Sequence, residues 1–162
     1  MKPNGAKQRP APDCSGKRFG LVVARFYDEI ARLLVDGAQR GLAACGVTEI
    51  EAYDVPGCFE LPLACRNLID TDRYDALVAL GVVIRGETPH FDFVAGECAR
   101  GIMEVQLATG IPIGFGVLTT ENAAQAQERA DPERGDKGYE AAIAAATLLR
   151  LTAGVPRAGF RA

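Results

Sequence analysis

Residues 75–84, DALVALGVVI, form the most apolar run in the chain. The run is apolar at odd and even positions alike, so it reads as a central strand covered on both faces. Upstream, residues 19–24 (FGLVVA) make a second, valine-rich run that suits a buried strand. From Asp28 the period changes: Ile30, Leu33, Leu34, Ala38, Leu42 and Cys45 recur at a spacing of three to four. That spacing predicts an amphipathic helix with Gly46 as its stop. Residues 50–55 read as a strand, and residues 61–69 as a shorter helix.

Downstream of the central run, Thr88 and Pro89 open a helix, Thr as N-cap and Pro at the first helical position. Its apolar stripe is Phe91, Val94, Cys98, Ile102 and Val105, ending near Gly110. Residues 112–118 (PIGFGVL) give a fourth strand. A short helix over 121–129 is broken by DPERG (131–135), and an alanine-rich helix follows over 137–151. Strands that alternate with helices imply an α/β fold: a three-layer sandwich with a four-stranded parallel sheet flanked by helices. Residues 1–17, rich in Pro, Gly, Lys and Asn, read as a flexible N-terminal extension. Residues 18–154 read as a single α/β domain, and 155–162 as a short C-terminal tail.

Composition narrows the function. Of 162 residues 48% are hydrophobic and 24% charged, which suits a globular domain. The longest apolar runs fall well short of a membrane span. The first eighteen residues hold five basic residues against Asp13 alone, leaving 13 basic against 20 acidic residues in the remainder. So acidic a body gives no electrostatic reason to bind nucleic acid. The five cysteines, at 14, 45, 58, 65 and 98, are odd in number, contain no CxxC and sit mostly in apolar segments. They read as reduced thiols used as small hydrophobes, and with no apolar leader at the N-terminus they point to the cytoplasm. One histidine and no clustered Cys or carboxylates leave no recognisable metal site.

In open parallel sheets, ligands bind beyond the carboxyl ends of the strands. Those ends read Ala24-Arg25-Phe26-Tyr27, Val55-Pro56-Gly57-Cys58-Phe59-Glu60, Arg85-Gly86-Glu87-Thr88-Pro89-His90 and Thr119-Thr120-Glu121-Asn122. His90, the only histidine, falls in the first turn of a predicted helix. There an imidazole able to exchange protons stands beside free backbone N–H groups that attract anions. A surface histidine at a helix start is the plainer reading of position alone. Phe26 can stack on a planar ligand, while Phe59 and Phe115 fit a core equally well. Glu60 can accept from ligand hydroxyls or cap the next helix, and Arg129 and Lys137 are either phosphate clamps or solvated charges. Gly81-x-x-x-x-Gly86 followed by Glu87 and Thr88 has a carboxylate where a P-loop needs lysine, which rejects nucleotide hydrolysis.

At these loops the sequence resembles the 6,7-dimethyl-8-ribityllumazine synthase family. The matching stretches are ARFY (24–27), VPGCFELP (55–62), ALGVVIRGETPHFDFV (79–94), PIGFGVLTTENAAQAQERA (112–130) and DKGYEAA (136–142). The resemblance implies a flavodoxin-like fold and a cofactor-free reaction of two small-molecule substrates. It condenses 5-amino-6-(D-ribitylamino)uracil with 3,4-dihydroxy-2-butanone 4-phosphate, releasing phosphate and water. By motif, Phe26, Cys58, Phe59, Glu60, Val82, Val83, Ile84 and Phe115 would hold the pyrimidine substrate. Glu87, Thr88, Arg129 and Lys137 would contact the phosphate, and His90 would transfer protons. The resemblance also implies pentamers with active sites between neighbours. Tyr27 stands where the family often has asparagine, Cys58 where alanine is common, and DPERG where shell-forming members have a glycine-rich segment. Pro132 and the proline-bearing tail favour a pentamer or dimer of pentamers over a shell. The alternative is a catalytically silent paralogue that binds lumazines or flavins or serves as a scaffold.

Overall fold

A strand whose side chains are apolar at both parities must feed two cores at once, and β3 (Ala76–Ile84) does so. Ala76, Val78, Leu80 and Val82 enter one core, and Leu77, Ala79 and Val83 the other. The computed structural model describes residues 10–156. Around β3 the chain runs β1 (Arg18–Ala24), α1 (Asp28–Ala44), β2 (Glu49–Val55), a 3₁₀ turn (Cys58–Glu60), α2 (Leu61–Ile69), β3, α3 (His90–Thr109), β4 (Ile113–Thr120), α4 (Ala123–Ala130) and α5 (Lys137–Arg150).

The four strands are parallel, in the order β2-β1-β3-β4. From β1 the chain winds outward to β2, then crosses back past β1 to β3 and on to β4. Crossovers of parallel strands share one hand, so reversing the direction of winding moves the connecting helices to the opposite face. Accordingly α1, with α4 and α5, packs on one face, while α2 and α3 cover the other. The three-layer α/β arrangement is the one the sequence predicts.

Two helix boundaries differ from expectation. Pro89, at φ −69° and ψ 3°, is the N-cap of α3, so His90 is the first helical residue and Thr88 lies one position outside. The Thr88 hydroxyl accepts from the His90 N–H at 3.5 Å, too long for a strong cap. Helix α4 starts two residues later than predicted, because the Asn122 side chain caps it by accepting from the Gln125 N–H at 2.9 Å. Of the residues read as an N-terminal extension, 1–9 lie outside the described residues. Cys14 is buried: its N–H donates to the Cys45 carbonyl at 2.8 Å, and its side chain joins the α1/α5 core. Proline, glycine and charge around it conceal this single apolar anchor. Of the tail, 157–162 also lie outside the described residues.

The alanine run of α5 is used inside the subunit. Ala141, Ala142, Ala145 and Ala146 are buried against α1 and the sheet. The approach is closest at Gly138, where an added Cβ would lie 2.1 Å from the Leu34 carbonyl oxygen. Backbone atoms cannot step aside as a flexible side chain can. Gly138→Ala should therefore cost about 2–3 kcal/mol of stability, the range for overpacking against a rigid neighbour. Urea unfolding followed by circular dichroism checks this, and an unchanged midpoint would show that α1 and α5 separate freely.

Candidate active site

The reversal of winding leaves a crevice at the carboxyl end of the sheet, between β1 and β3, where the following connections diverge. A cavity of about 430 Å³ occupies it. Its floor is Val82, Val83 and Ile84 at the end of β3, and its walls are Phe26 and Tyr27 after β1 and Gly57–Glu60 after β2. His90, Phe93 and Val94 of α3 close the remaining side. Eight residues singled out from the sequence meet here: Phe26, Cys58, Phe59, Glu60, Val82, Val83, Ile84 and His90.

Local structure explains how the walls stand. Arg25 pairs with Asp54 at 2.8 Å and Asp28 at 3.3 Å, pinning the end of β1 beside β2 and leaving Phe26 to project. Phe26 is 76% exposed and Phe59 60%, an unusual state for two rings beside one apolar hollow. Tyr27 meets Phe26 edge to face at 5.0 Å between centroids. The Glu60 carboxylate accepts from the Gly57 N–H at 2.9 Å, so it performs the capping role while lining the cavity. Cys58 is 5% exposed, and its Sγ would sit 2.7 Å from a Cβ on Gly81; that glycine makes room for the sulfur.

Glu87 and Thr88 are exposed in the β3–α3 loop, next in sequence to His90 but off the cavity wall. The other three candidates lie elsewhere. Phe115, Arg129 and Lys137 share a second concavity of about 450 Å³ along the outer edge of β4, with no residue in common with the first. The DPERG segment builds this second group. Gly135 N–H donates to the Glu128 carbonyl and Asp136 N–H to the Asp131 carbonyl, folding the break tightly enough to bring Lys137 back toward Arg129. A Cβ on Gly135 would lie 2.3 Å from the Arg129 carbonyl oxygen. Asp136, at φ 48°, is held by both terminal nitrogens of Arg40 at 2.8 and 3.0 Å. Lys137 itself pairs with Glu140. Phe115 is 45% exposed, so the core reading of this residue fails.

Tyr27, Gly57, Phe93 and Val94 line the cavity without having been assigned to the site from sequence, and of the two on α3 the more exposed is Phe93. It falls off the inward stripe of α3 and is 68% exposed. An aromatic ring off the stripe in the first turn of a helix was the available signal.

The two aromatic rings, the apolar floor and the histidine at the winding reversal are the features that the lumazine synthase resemblance requires together. Residues 16–153 match the family model described as 6,7-dimethyl-8-ribityllumazine synthase. The chain belongs to this family. A relative from Desulfatibacillum aliphaticivorans, 6,7-dimethyl-8-ribityllumazine synthase, is 47% identical over 138 residues, covering 84% of this chain and 89% of the relative. Among the described residues no helix is long and apolar enough to cross a membrane.

Burial sets the chemistry of the cysteine that lines the cavity. It pushes the Cys58 thiol up to about 12, and the neighbouring Cys65 and Cys98 equally. At pH 8 such a thiol is ionised to about one part in ten thousand. Cys58 in the folded protein should therefore resist iodoacetamide at pH 8 and react once the chain is unfolded in urea. Mass spectrometry of the labelled peptides reads this directly, and rapid labelling of Cys58 in the native protein would contradict it.

Proposed function

We propose that this chain condenses 5-amino-6-(D-ribitylamino)uracil with 3,4-dihydroxy-2-butanone 4-phosphate to give 6,7-dimethyl-8-ribityllumazine, phosphate and water. One observation carries the reading: the single histidine of the chain faces an apolar hollow flanked by two projecting phenylalanine rings. Family membership supplies the reaction. Phe26 stacks on the pyrimidine, and the floor of Val82, Val83 and Ile84 excludes water beneath it. Cys58, Phe59 and Glu60 hold the pyrimidine and its ribityl chain. The amine of the pyrimidine attacks the ketone, the imine forms with loss of water, and phosphate is eliminated to leave an enol that becomes a ketone. The ribitylamino nitrogen attacks that carbonyl, expelling a second water as the ring closes. His90 moves protons between these steps. Holding two substrates in one orientation contributes the larger part of the rate.

We further propose that the site is completed by a second copy of the chain. The phosphate-binding set, Arg129 and Lys137 with Phe115, lies in a separate concavity on the outer edge of the sheet. One subunit thus offers His90 with the pyrimidine pocket, and its neighbour offers the cations and a closing ring. Glu87 and Thr88, at the positive end of α3, add backbone and hydroxyl contacts to the phosphate from the first subunit. A closed ring repeats this head-to-tail contact, and a pentamer or a dimer of pentamers is the assembly proposed. Five free, buried cysteines support a place in the reducing cytoplasm.

Purified protein mixed with the two substrates and followed by lumazine fluorescence tests the reaction, against a control without protein. Turnover well above the control is expected, with kcat in His90→Ala lower by about 10²-fold, the usual contribution of a positioned proton-transfer group. No acceleration, with riboflavin or lumazine still bound, would leave a binding or scaffold paralogue instead. Arg129→Ala is expected to raise KM for the butanone phosphate by about tenfold and to leave KM for the pyrimidine nearly unchanged, as loss of a charge-assisted phosphate contact requires. Equal effects on both substrates would contradict the division of roles.

A further inference from the structure

Among the described residues no side chain is hydrogen-bonded to the His90 ring; the side-chain contact at this residue is a bond from its backbone N–H to the Thr88 hydroxyl. The direction of the imidazole therefore depends on whatever fixes the turn that carries it. Gly86, Glu87 and Thr88 leave the sheet as an exposed loop, and a 3.5 Å cap from Thr88 is weak restraint. The restraint lies on the other side of His90, at Phe91 and Asp92.

Both of those residues converge on Arg85. Its guanidinium carbon stands 4.2 Å from the Phe91 ring centroid, a stacked cation–π contact. Its Nη1 reaches Asp92 at 3.4 Å, and its Nε donates to Glu121 at 2.9 Å. The base of the side chain is equally fixed, because the Arg85 N–H donates to the Thr120 carbonyl at 2.9 Å and extends the β3–β4 register by one bond. Glu121 sits on firm ground: its own N–H donates to Gln125, whose N–H in turn is capped by Asn122. One planar group thus joins the end of β3, the first turn of α3 and the start of α4. Lysine has neither the plane to lie on Phe91 nor the fork to reach two carboxylates.

We propose that Arg85 is a positioning residue for His90, clamping the first turn of α3 to the β4–α4 connection so that the imidazole faces the cavity. The proposal rests on the reading of His90 as the proton-transfer residue. Arg85 and its two carboxylates are between 38% and 62% exposed, and ion pairs in that setting contribute little to folding. The clamp acts through geometry, so its loss should show in turnover far more than in stability.

The test compares wild type, Arg85→Met, Arg85→Lys, His90→Ala and the Arg85→Met/His90→Ala double variant, each assayed for kcat and KM. Arg85→Met is expected to lower kcat by about tenfold with KM for both substrates within about twofold, as a displaced reactive group does. Arg85→Lys should recover part of the loss. In the His90→Ala background Arg85→Met should have no further effect on kcat, since the residue it positions is gone. Unchanged kcat in Arg85→Met, or losses that multiply in the double variant, would overturn the proposal. If Arg85→Met fails to fold, Glu121→Gln removes one arm of the clamp and is read in the same way. A second readout needs no turnover: the protein has one histidine, so its ring ¹H–¹⁵N signals are unambiguous. They should shift or broaden in Arg85→Met while the melting temperature hardly moves. Ring signals identical to wild type would sink the clamp. Wild-type protein without turnover would instead sink the proposed reaction, leaving the ring signals to decide the clamp separately.

Discussion

β1 pairs in parallel with β2 on one side and with β3 on the other, and the functional layout of the chain depends on that double pairing. With β1 inside the sheet, the chain must wind away from it and then back across it. The connections after β1 and β3 therefore part at the carboxyl end, and the crevice between them is a consequence of topology before any side chain is considered. The same order places β4 on the outside, with one edge unpaired and its Phe115 half exposed. Two concavities result, one at the reversal and one along the outer edge. The residues proposed to serve one reaction are divided between them.

The fold was legible because β1 and β3 carry apolar residues at both parities, which only a strand buried on both faces tolerates. The helix over Leu61–Ile69 was read with its observed ends. Boundaries failed where a local contact outweighs periodicity. Asn122 moved the start of α4, and Pro89 with a non-helical ψ moved the start of α3. Cys14 was hidden because a single buried residue has no period to detect. The site was legible as a set of residue types at strand ends, but not as a shape. Phe26 and Arg129 belong to one set of family motifs, whereas the fold separates them into different hollows. Phe93 escaped because attention to the inward stripe of α3 leaves its outward residues unread.

Glycines mark where backbone comes close enough to shape the molecule. Gly138 lets α5 rest on α1, Gly135 folds the break that returns Lys137 toward Arg129, and Gly81 admits the Cys58 sulfur beneath the pocket. Charge is used the same way, for placement. Arg25 fixes the end of β1, Arg40 holds the strained Asp136 at the start of α5, and Arg85 ties the first turn of α3 to the β4–α4 connection. Each arginine bridges two carboxylates on different segments, a task suited to a rigid planar fork. The first turn of α3 and the connection leading into α4 are thereby tied at a single guanidinium.

The division of the site between copies is the central claim, and mixing two impaired variants, assayed at butanone phosphate well below its KM, tests it most directly. His90→Ala and Arg129→Ala each spoil a different half. Unfolding them together and refolding as mixed rings rebuilds some sites from an intact half of each chain. If neighbours share the site, activity returns to about a quarter of wild type at equal mixing, the random share of doubly intact contacts in a closed ring. If the mixture is no more active than the average of the two variants refolded separately, the site lies within one chain and the shared arrangement is wrong.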